Sequence, residues 1–147
     1  MKPLTRRPPE WTDTAPVHIS ATRELAATPD EVFAALADHE SWPRWFAAVS
    51  KVERFGEPTE GLGSRRRVFL GRRFRVEEEF IEWEPGRTWG FTVTGASMGG
   101  ARWVRSVNER VTIEALDDDT TRVTYLQAIE PAGWLSPLLR LARGSTA

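Results

Sequence analysis

The feature that most constrains this chain is an alternation of apolar and polar residues that begins after Phe46 and continues over about eighty residues. A period of two is typical of strands with one buried face. Glycine, proline and aspartate interrupt the alternation at positions that favour turns. Because parallel pairing would need long crossover connections, the strands are predicted to form an antiparallel meander. The predicted strands cover residues 48–55, 64–70, 73–84, 87–94, 102–116 and 121–130.

The segments that flank this meander predict one more strand and a few short helices. Residues 17–25 alternate as a half-buried strand does, and this strand must pair at one side of the sheet. Thr28 is a predicted N-cap, with Pro29 at the first helical position and Glu31 closing a capping box. That helix is expected to end near Asp38, and a second short helix or turn follows at Pro43.

The two ends of the chain complete the predicted organisation. The first sixteen residues contain four prolines and no periodicity, which predicts a disordered arm over 1–16. One folded domain is predicted over 17–143, followed by a tail over 144–147. The last apolar helix of that domain, over 134–143, is unusually short. We predict that its leucines associate two chains into a homodimer.

Composition narrows the classes of function. The chain has 147 residues, no cysteine and two histidines, so one domain is expected, without a thiol nucleophile, a metal site or a cofactor. A net charge of −1 argues against general binding of nucleic acid. No signal-peptide pattern and no run of about 18 apolar residues is present, which predicts a cytoplasmic protein without a membrane span.

One catalytic motif occurs in the sequence, but the segments around it do not fit the mechanism of that motif. The segment from Gly95 to Gly99 has the G-x-S-x-G pattern of a hydrolase nucleophile elbow, which requires a following helix and a downstream histidine. A strand follows instead, and both histidines lie upstream. We therefore interpret this segment as a glycine loop.

The order of elements and several local motifs resemble the polyketide cyclase/dehydrase-like branch of the START and Bet v 1-like superfamily. The matching segments are Ala27-Thr28-Pro29-Asp30-Glu31-Val32-Phe33, Trp42-Pro43-Arg44-Trp45, Gly61-Leu62-Gly63-Ser64, Glu82-Trp83-Glu84-Pro85-Gly86-Arg87 and Asp119-Thr120-Thr121-Arg122-Val123-Thr124-Tyr125. The resemblance implies an α+β helix-grip fold, in which a curved antiparallel sheet of six or seven strands surrounds a C-terminal helix. It also implies an apolar cavity that binds lipids, polyketides or other hydrophobic molecules.

The alternation also predicts which polar side chains share the apolar face of the sheet. A ligand site needs an apolar wall with a few placed polar groups. A bulge or a one-residue slip in register would reverse the assignment on any strand. The residues predicted to line such a site are Arg66, Glu78, Trp89, Phe91, Trp103, Arg105, Glu109, Val111, Tyr125 and Gln127.

Two further groups of residues allow a functional and a structural interpretation. His39 and Trp42 follow the first helix, where the resemblance places the mouth of the cavity; alternatively, His39 complements the helix dipole and Trp42 packs on the sheet. Residues 65–75 contain six arginines, and five glutamates follow within 77–84. Cross-strand ion pairs on a solvated face explain them most simply. An acidic carrier protein as partner is the alternative.

Three functions are compatible with the sequence. The first is binding of a small hydrophobic molecule, without catalysis. The second is an aromatase/cyclase or dehydratase, in which an arginine or tyrosine polarises carbonyls and a carboxylate or histidine moves protons. The third is an interaction module, such as a toxin or a regulatory partner.

Overall fold

The protein was examined as a computed structural model, which describes residues 1–133. About half of this part of the chain is strand, and its helices are short. The strands are β1 (Lys2–Pro3), β2 (Val17–Leu25), β3 (Val49–Phe55), β4 (Arg65–Leu70), β5 (Phe74–Glu84), β6 (Thr88–Ala96), β7 (Val104–Ala115) and β8 (Thr121–Pro131). The helices are α1 (Trp11–Thr14), α2 (Pro29–Ala37) and α3 (Trp42–Trp45), with 3₁₀ turns at His39–Ser41 and Gly100–Arg102.

The long strands form one antiparallel sheet in the order β2-β8-β7-β6-β5-β4-β3. Strands β3 to β8 are neighbours in chain order, so the predicted meander is confirmed. Its hairpins turn at glycines in the left-handed region, Gly71 between β4 and β5 and Gly86 between β5 and β6. Bulges in β5, between Glu77 and Glu78 and between Phe80 and Glu82, mark where its pairing with β6 shifts. The predicted α+β sheet fold is confirmed.

Helix α2 begins and ends where the sequence predicts. The Glu31 amide donates to the Thr28 hydroxyl at 3.2 Å, and Pro29 occupies the first turn. The helix ends at Ala37, and the Asp38 amide closes its last turn on the Ala34 carbonyl. Phe33 is buried and meets the edge of Trp83 at a ring distance of 5.3 Å. The helix thus packs one apolar face on the inner face of the sheet.

Strand β2 is more exposed than the half-buried strand that was predicted. It lies at an edge of the sheet, and among residues 1–133 it pairs only with β8. Its apolar Ile19 and Leu25 are 54% and 41% exposed. The alternation identified the strand correctly, but an edge strand has a packed neighbour on one side only.

The first sixteen residues differ from the predicted disordered arm, because they lie against the sheet. Beyond Thr92, β6 and β7 separate, and β1 pairs with the end of β6. The Leu4 and Thr5 amides then donate to the carbonyls of Thr94 and Arg105. Leu4 is buried in the core, although composition around it indicates disorder. Contacts with residues far along the chain hold this segment against the sheet, and local composition does not record them.

The rest of this segment, including α1, crosses the outer face of the sheet, opposite the core. Thr12 is 1% exposed, and its hydroxyl accepts a hydrogen bond from the Asn108 amide at 3.0 Å. Arg6 and Asp13 form ion pairs with Glu79 and Arg110. A segment bound at both of its ends belongs to the folded unit.

We expect Leu4→Ala to lower the free energy of unfolding by about 2 kcal/mol or more, because it empties a buried leucine site. The exposed neighbour Thr5 supplies the control, and Thr5→Ala should change stability by less than about 0.5 kcal/mol. Denaturant unfolding of the two variants measures both values. Equal, small losses of stability in both variants would contradict the packing of this segment on the sheet.

Two predictions fall outside the described residues. These are the short helix over 134–143 with its tail, and the homodimer that rests on that helix; both stay predictions. Within residues 1–133, no helix has the length and apolar character needed to cross a membrane.

Candidate ligand-binding site

A cavity of about 290 Å³ lies on the inner face of the sheet, and we call it the inner cavity. Its apolar wall includes Val68, Phe91, Val93 and Val107, together with Trp42 from α3. Its volume lies near the lower end of the range of about 300–1,000 Å³ that is usual for small-molecule sites. The polar side chains that line it are Arg66, Glu78, Glu109, Tyr125 and Gln127.

Arg66 is the centre of the polar cluster. Its side chain is 2% exposed, and Nε and Nη2 each donate to one oxygen of the Glu78 carboxylate at 3.3 Å. Its Nη1 contacts Nδ1 of His39 at 3.2 Å. The pair follows from the strand register, because Arg66 and Glu78 stand directly opposite each other on β4 and β5.

Aromatic rings surround the same guanidinium. Its carbon lies 4.5 Å from the ring centroid of Trp42 and between 5.1 and 5.4 Å from those of Trp89, Phe80 and Phe91. These distances are within the range of cation–π attraction. The rings also exclude water, so the cation is held in a largely apolar surrounding by one carboxylate and four ring faces.

His39 is buried at 1% exposure between the 3₁₀ turn and the sheet. Burial and the positive charge of Arg66 lower the pKa of His39 to about 4, so the ring is neutral near pH 7. Neutral Nδ1 accepts from Arg66, which leaves the proton on Nε2. The suggested role as a charge at the helix C-terminus is therefore wrong, because a neutral ring does not complement the dipole.

Glu109 is the second carboxyl group of the cavity. It lies opposite Gln127 of β8, whose amide donates to Oε1 at 2.8 Å. Burial, and then the negative charge of Glu78, raise the pKa of Glu109 to about 7. The hydrogen bond from Gln127 and the charge of Arg66 only partly oppose this rise. Glu109 is thus a carboxyl group that carries its proton below neutrality and loses it as the pH rises through about 7.

The pKa of Glu78 is shifted in the same direction as that of Glu109, and burial is again the largest cause. Burial raises its pKa, although the charge and the hydrogen bonds of Arg66 act to lower it. The cluster therefore holds two carboxyl groups and one cation, and burial disfavours a second negative charge.

Most of the residues predicted to face inward are on the inner face. Arg66, Glu78, Phe91, Glu109, Tyr125 and Gln127 line the inner cavity. Trp89 is fully buried behind it, in contact with Trp42, Phe80 and Phe91. Glu78 is the middle one of three consecutive glutamates, and its register opposite Arg66 places it on the inner face. Whether these residues bind a ligand stays a prediction.

Two of the predicted residues, Trp103 and Arg105, lie outside the cavity. Trp103 is 58% exposed and follows the 3₁₀ turn at Gly100–Arg102, before β7 begins. A register shift between Val104 and Ser106 breaks the alternation that assigned Arg105 to the inner face. Arg105 forms an ion pair with Glu130 at 3.3 Å and its side chain is 56% exposed.

A second cavity of about 420 Å³ lies between the helices and the strands β7 and β8, and we call it the helix cavity. Val111 and Val123 line it from the sheet, and Val32 and Leu36 line it from α2. Val111 was predicted for the site and belongs to this second cavity. Trp42, Phe46 and Tyr125 line both cavities.

Several residues that line the inner cavity were not among those predicted for the site, and three of them are informative. Leu4 enters from the segment that was expected to be disordered, and Phe46 lies just after α3. Phe74 is the first residue of β5. For Leu4 no local signal exists, whereas Phe46 could have been included from its place beside the Trp-Pro-Arg-Trp motif.

The arginines at 65–75 lie on both faces of the sheet. Arg66 points inward, while Arg67 forms ion pairs with Glu77 at 2.8 Å and Glu53 at 3.7 Å. Arg65 and Arg67 also lie over the ring of Phe55. Cross-strand pairs on a solvated face account for Arg67, as the simpler interpretation predicted.

The curved antiparallel sheet, the capped helix and the cavity on the inner face define the helix-grip fold of START and Bet v 1-like proteins. The chain belongs to the polyketide cyclase/dehydrase and lipid transport family, whose model matches residues 16–146. This result confirms the resemblance on which the fold prediction rested. A protein of Mycobacterium tuberculosis that is named only as uncharacterized is 33% identical over 143 residues, 97% of this chain and 83% of that protein.

Solved structures agree with this assignment. The Zhui aromatase/cyclase of Streptomyces superposes with a TM-score of 0.66 and 20% identity, covering 80% of this chain and 69% of the other. A START superfamily protein of Mycobacterium smegmatis gives a TM-score of 0.63 and 16% identity, covering 88% of both chains. At such identities these structures establish the fold and no particular ligand or reaction.

Proposed function

We propose that this protein binds a small hydrophobic molecule in the inner cavity, with its polar part against Glu109, Tyr125 and Gln127. The observation that carries the proposal is the composition of the cavity, an apolar wall with a few buried polar groups at one side. The family, named for polyketide cyclases, dehydrases and lipid transport, supports a ligand of this class.

Two matched variants test whether the inner cavity is the site. Val107 lines only the inner cavity and Val123 lines only the helix cavity, and both are half-buried valines of adjacent strands. Val107→Trp should fill the inner cavity, whereas Val123→Trp leaves it open. Thermal unfolding of each variant reports the cost of the larger side chain, which is about 1–3 kcal/mol when the surroundings do not yield.

Binding is measured with two dyes of opposite character, an uncharged naphthyl ketone and anilinonaphthalene sulfonate. We expect at least one of them to bind with one-to-one stoichiometry and to quench tryptophan fluorescence. Val107→Trp should weaken that binding at least about tenfold, a loss of 1.4 kcal/mol, and Val123→Trp should have a smaller effect. Native mass spectrometry of protein purified without detergent should show a co-purified small molecule. An inner cavity that takes up neither dye and holds no co-purified molecule would rule the proposal out.

A second candidate function is acid–base catalysis of the cyclase or dehydratase type. Glu109 favours it, because a carboxyl group whose pKa lies at about 7 can both donate and accept a proton at neutral pH. In a dehydration, the Glu109 carboxylate would take the α-proton of a β-hydroxyketone and then donate that proton to the leaving hydroxyl, which departs as water. The Zhui aromatase/cyclase has this fold and lends the idea support.

The catalytic candidate is tested with an aryl β-hydroxyketone, whose enone product absorbs at longer wavelength. We expect catalysed enone formation to fall at least about a hundredfold in Glu109→Gln, since the amide does not supply the proton. A wild-type protein that binds the probe and leaves it unchanged would favour binding without this reaction.

A further inference from the structure

The charges around the inner cavity restrict the kind of molecule that fits, given the proposed binding function. Among the described residues that line this cavity, Arg66, Glu78 and Glu109 are the charged ones. One cation therefore faces two carboxyl groups. A ligand anion would add a further negative charge to a site where burial already opposes the second one.

Arg66 is already committed to partners within the protein. Three of its five N–H groups bond to Glu78 and His39, and Trp42 lies 4.5 Å from its guanidinium carbon. A ligand carboxylate that took over the two-point contact with Arg66 would displace Glu78 and leave it as a buried, unpaired charge. Breaking a buried ion pair in that way is strongly unfavourable.

Two polar groups of the cavity, on Glu109 and Tyr125, are able to donate a hydrogen bond to a ligand. Oε1 of Glu109 accepts from Gln127, so the proton of the neutral carboxyl group belongs on Oε2, which has no hydrogen bond within residues 1–133. Tyr125 also lines the cavity, and its oxygen accepts from the same amide at 3.4 Å, which leaves its hydroxyl proton to donate. Two O–H groups held by one glutamine amide thus face the same space.

We propose that the ligand presents an uncharged hydrogen-bond acceptor, such as a ketone, ester or lactone carbonyl, to Glu109 and Tyr125, and that the site rejects a carboxylate of the same shape. The raised pKa of Glu109 agrees with this arrangement, since the neutral form is the donor. The cavity is thereby assigned to carbonyl-bearing apolar molecules rather than to fatty-acid anions.

Acetylnaphthalene and naphthoate test this proposal, because they have nearly the same shape and differ in charge. We measure both affinities by tryptophan quenching and calorimetry at about pH 6, where Glu109 is protonated and naphthoate is ionised. We expect acetylnaphthalene to bind at least about tenfold more tightly, since burial disfavours the naphthoate charge and Arg66, the cation of the cavity, is already paired with Glu78.

The pH dependence gives a second measurement. The groups that face Glu109 are Glu78 on β5, Arg66 on β4, and Tyr125 and Gln127 on β8, and His39 acts through Arg66. Affinity for acetylnaphthalene should fall as pH rises through about 7, as Glu109 loses the donated proton. This fall should be absent in Glu109→Gln and present in Glu114→Gln, an exposed glutamate of the same strand.

The outcomes separate this inference from the proposed function. Equal or tighter binding of naphthoate would overturn the inference and leave the binding function in place. Weak binding of both probes would also overturn it, and the absence of dye binding and of a co-purified molecule would then remove the binding function too. Tighter binding of acetylnaphthalene than of naphthoate, with the expected pH dependence, would support both the binding function and this inference.

Discussion

Replacing Arg66 with methionine should lower the free energy of unfolding by about 3–5 kcal/mol, because it leaves Glu78 as an uncompensated charge in the core. Methionine keeps much of the apolar volume among Trp42, Trp89 and Phe91, so the loss reports the charge more than a cavity. Denaturant unfolding at neutral pH measures it. The loss should shrink as pH falls, since protonated Glu78 needs no partner.

Two comparisons isolate the buried pair. Arg67 stands next to Arg66 on the same strand and pairs with Glu77 on the outer face, where its side chain is 31% exposed. Arg67→Met should therefore cost only about 0–1 kcal/mol. The double variant Arg66→Met with Glu78→Leu should recover much of the stability, because it removes both charges together. Equal losses in the Arg66 and Arg67 variants would contradict the buried position of the cluster.

The second large effect is a change in how stability depends on pH when Glu109 is replaced by glutamine. The pKa of Glu109 is raised from 4.5 to about 7 in the folded protein, so the folded state holds this proton more tightly than the unfolded state. The associated stability is complete below about pH 4.5 and is lost as pH rises through about 7. Ionisation of Glu109 lowers the free energy of unfolding by about 3 kcal/mol in total. The Glu109→Gln variant has no proton to lose at this position and keeps that stability.

We therefore expect the difference in unfolding free energy, variant minus wild type, to rise by about 3 kcal/mol between about pH 4 and pH 8. Taking the difference removes the contribution of His39, which both proteins share. The charge of Glu78 acts on Glu109, so the measured change belongs to these two coupled carboxyl groups together. Any constant cost of burying the amide shifts the curve without changing its slope. Glu114→Gln, an exposed glutamate of the same strand, is the matched control and should not reproduce this rise. Absence of the rise in Glu109→Gln would mean that the pKa of Glu109 is the same in the folded and the unfolded protein.

The strands and the first helix could be predicted from the sequence because their signals are local. A side-chain period of two follows from backbone geometry, and glycines such as Gly71 and Gly86 punctuate it where the chain must turn. The Thr28 cap acts within four residues, so the start of α2 can be predicted without knowledge of tertiary contacts. The residues that face inward could be predicted wherever the alternation of a strand was unbroken, as for Arg66, Phe91 and Glu109.

The tertiary structure decided what depends on partners distant in the chain. The register shift after Val104 turned Arg105 outward, and no residue near it signals that shift. Leu4 and Thr12 are held by strands about ninety or more residues away along the chain, which composition does not report. The chemistry of the site depends on the same long-range pairing: His39, Arg66, Glu78, Glu109 and Gln127 come from five separate segments. Burial and neighbouring charge set the protonation of His39 and Glu109, and both are properties of the assembled sheet.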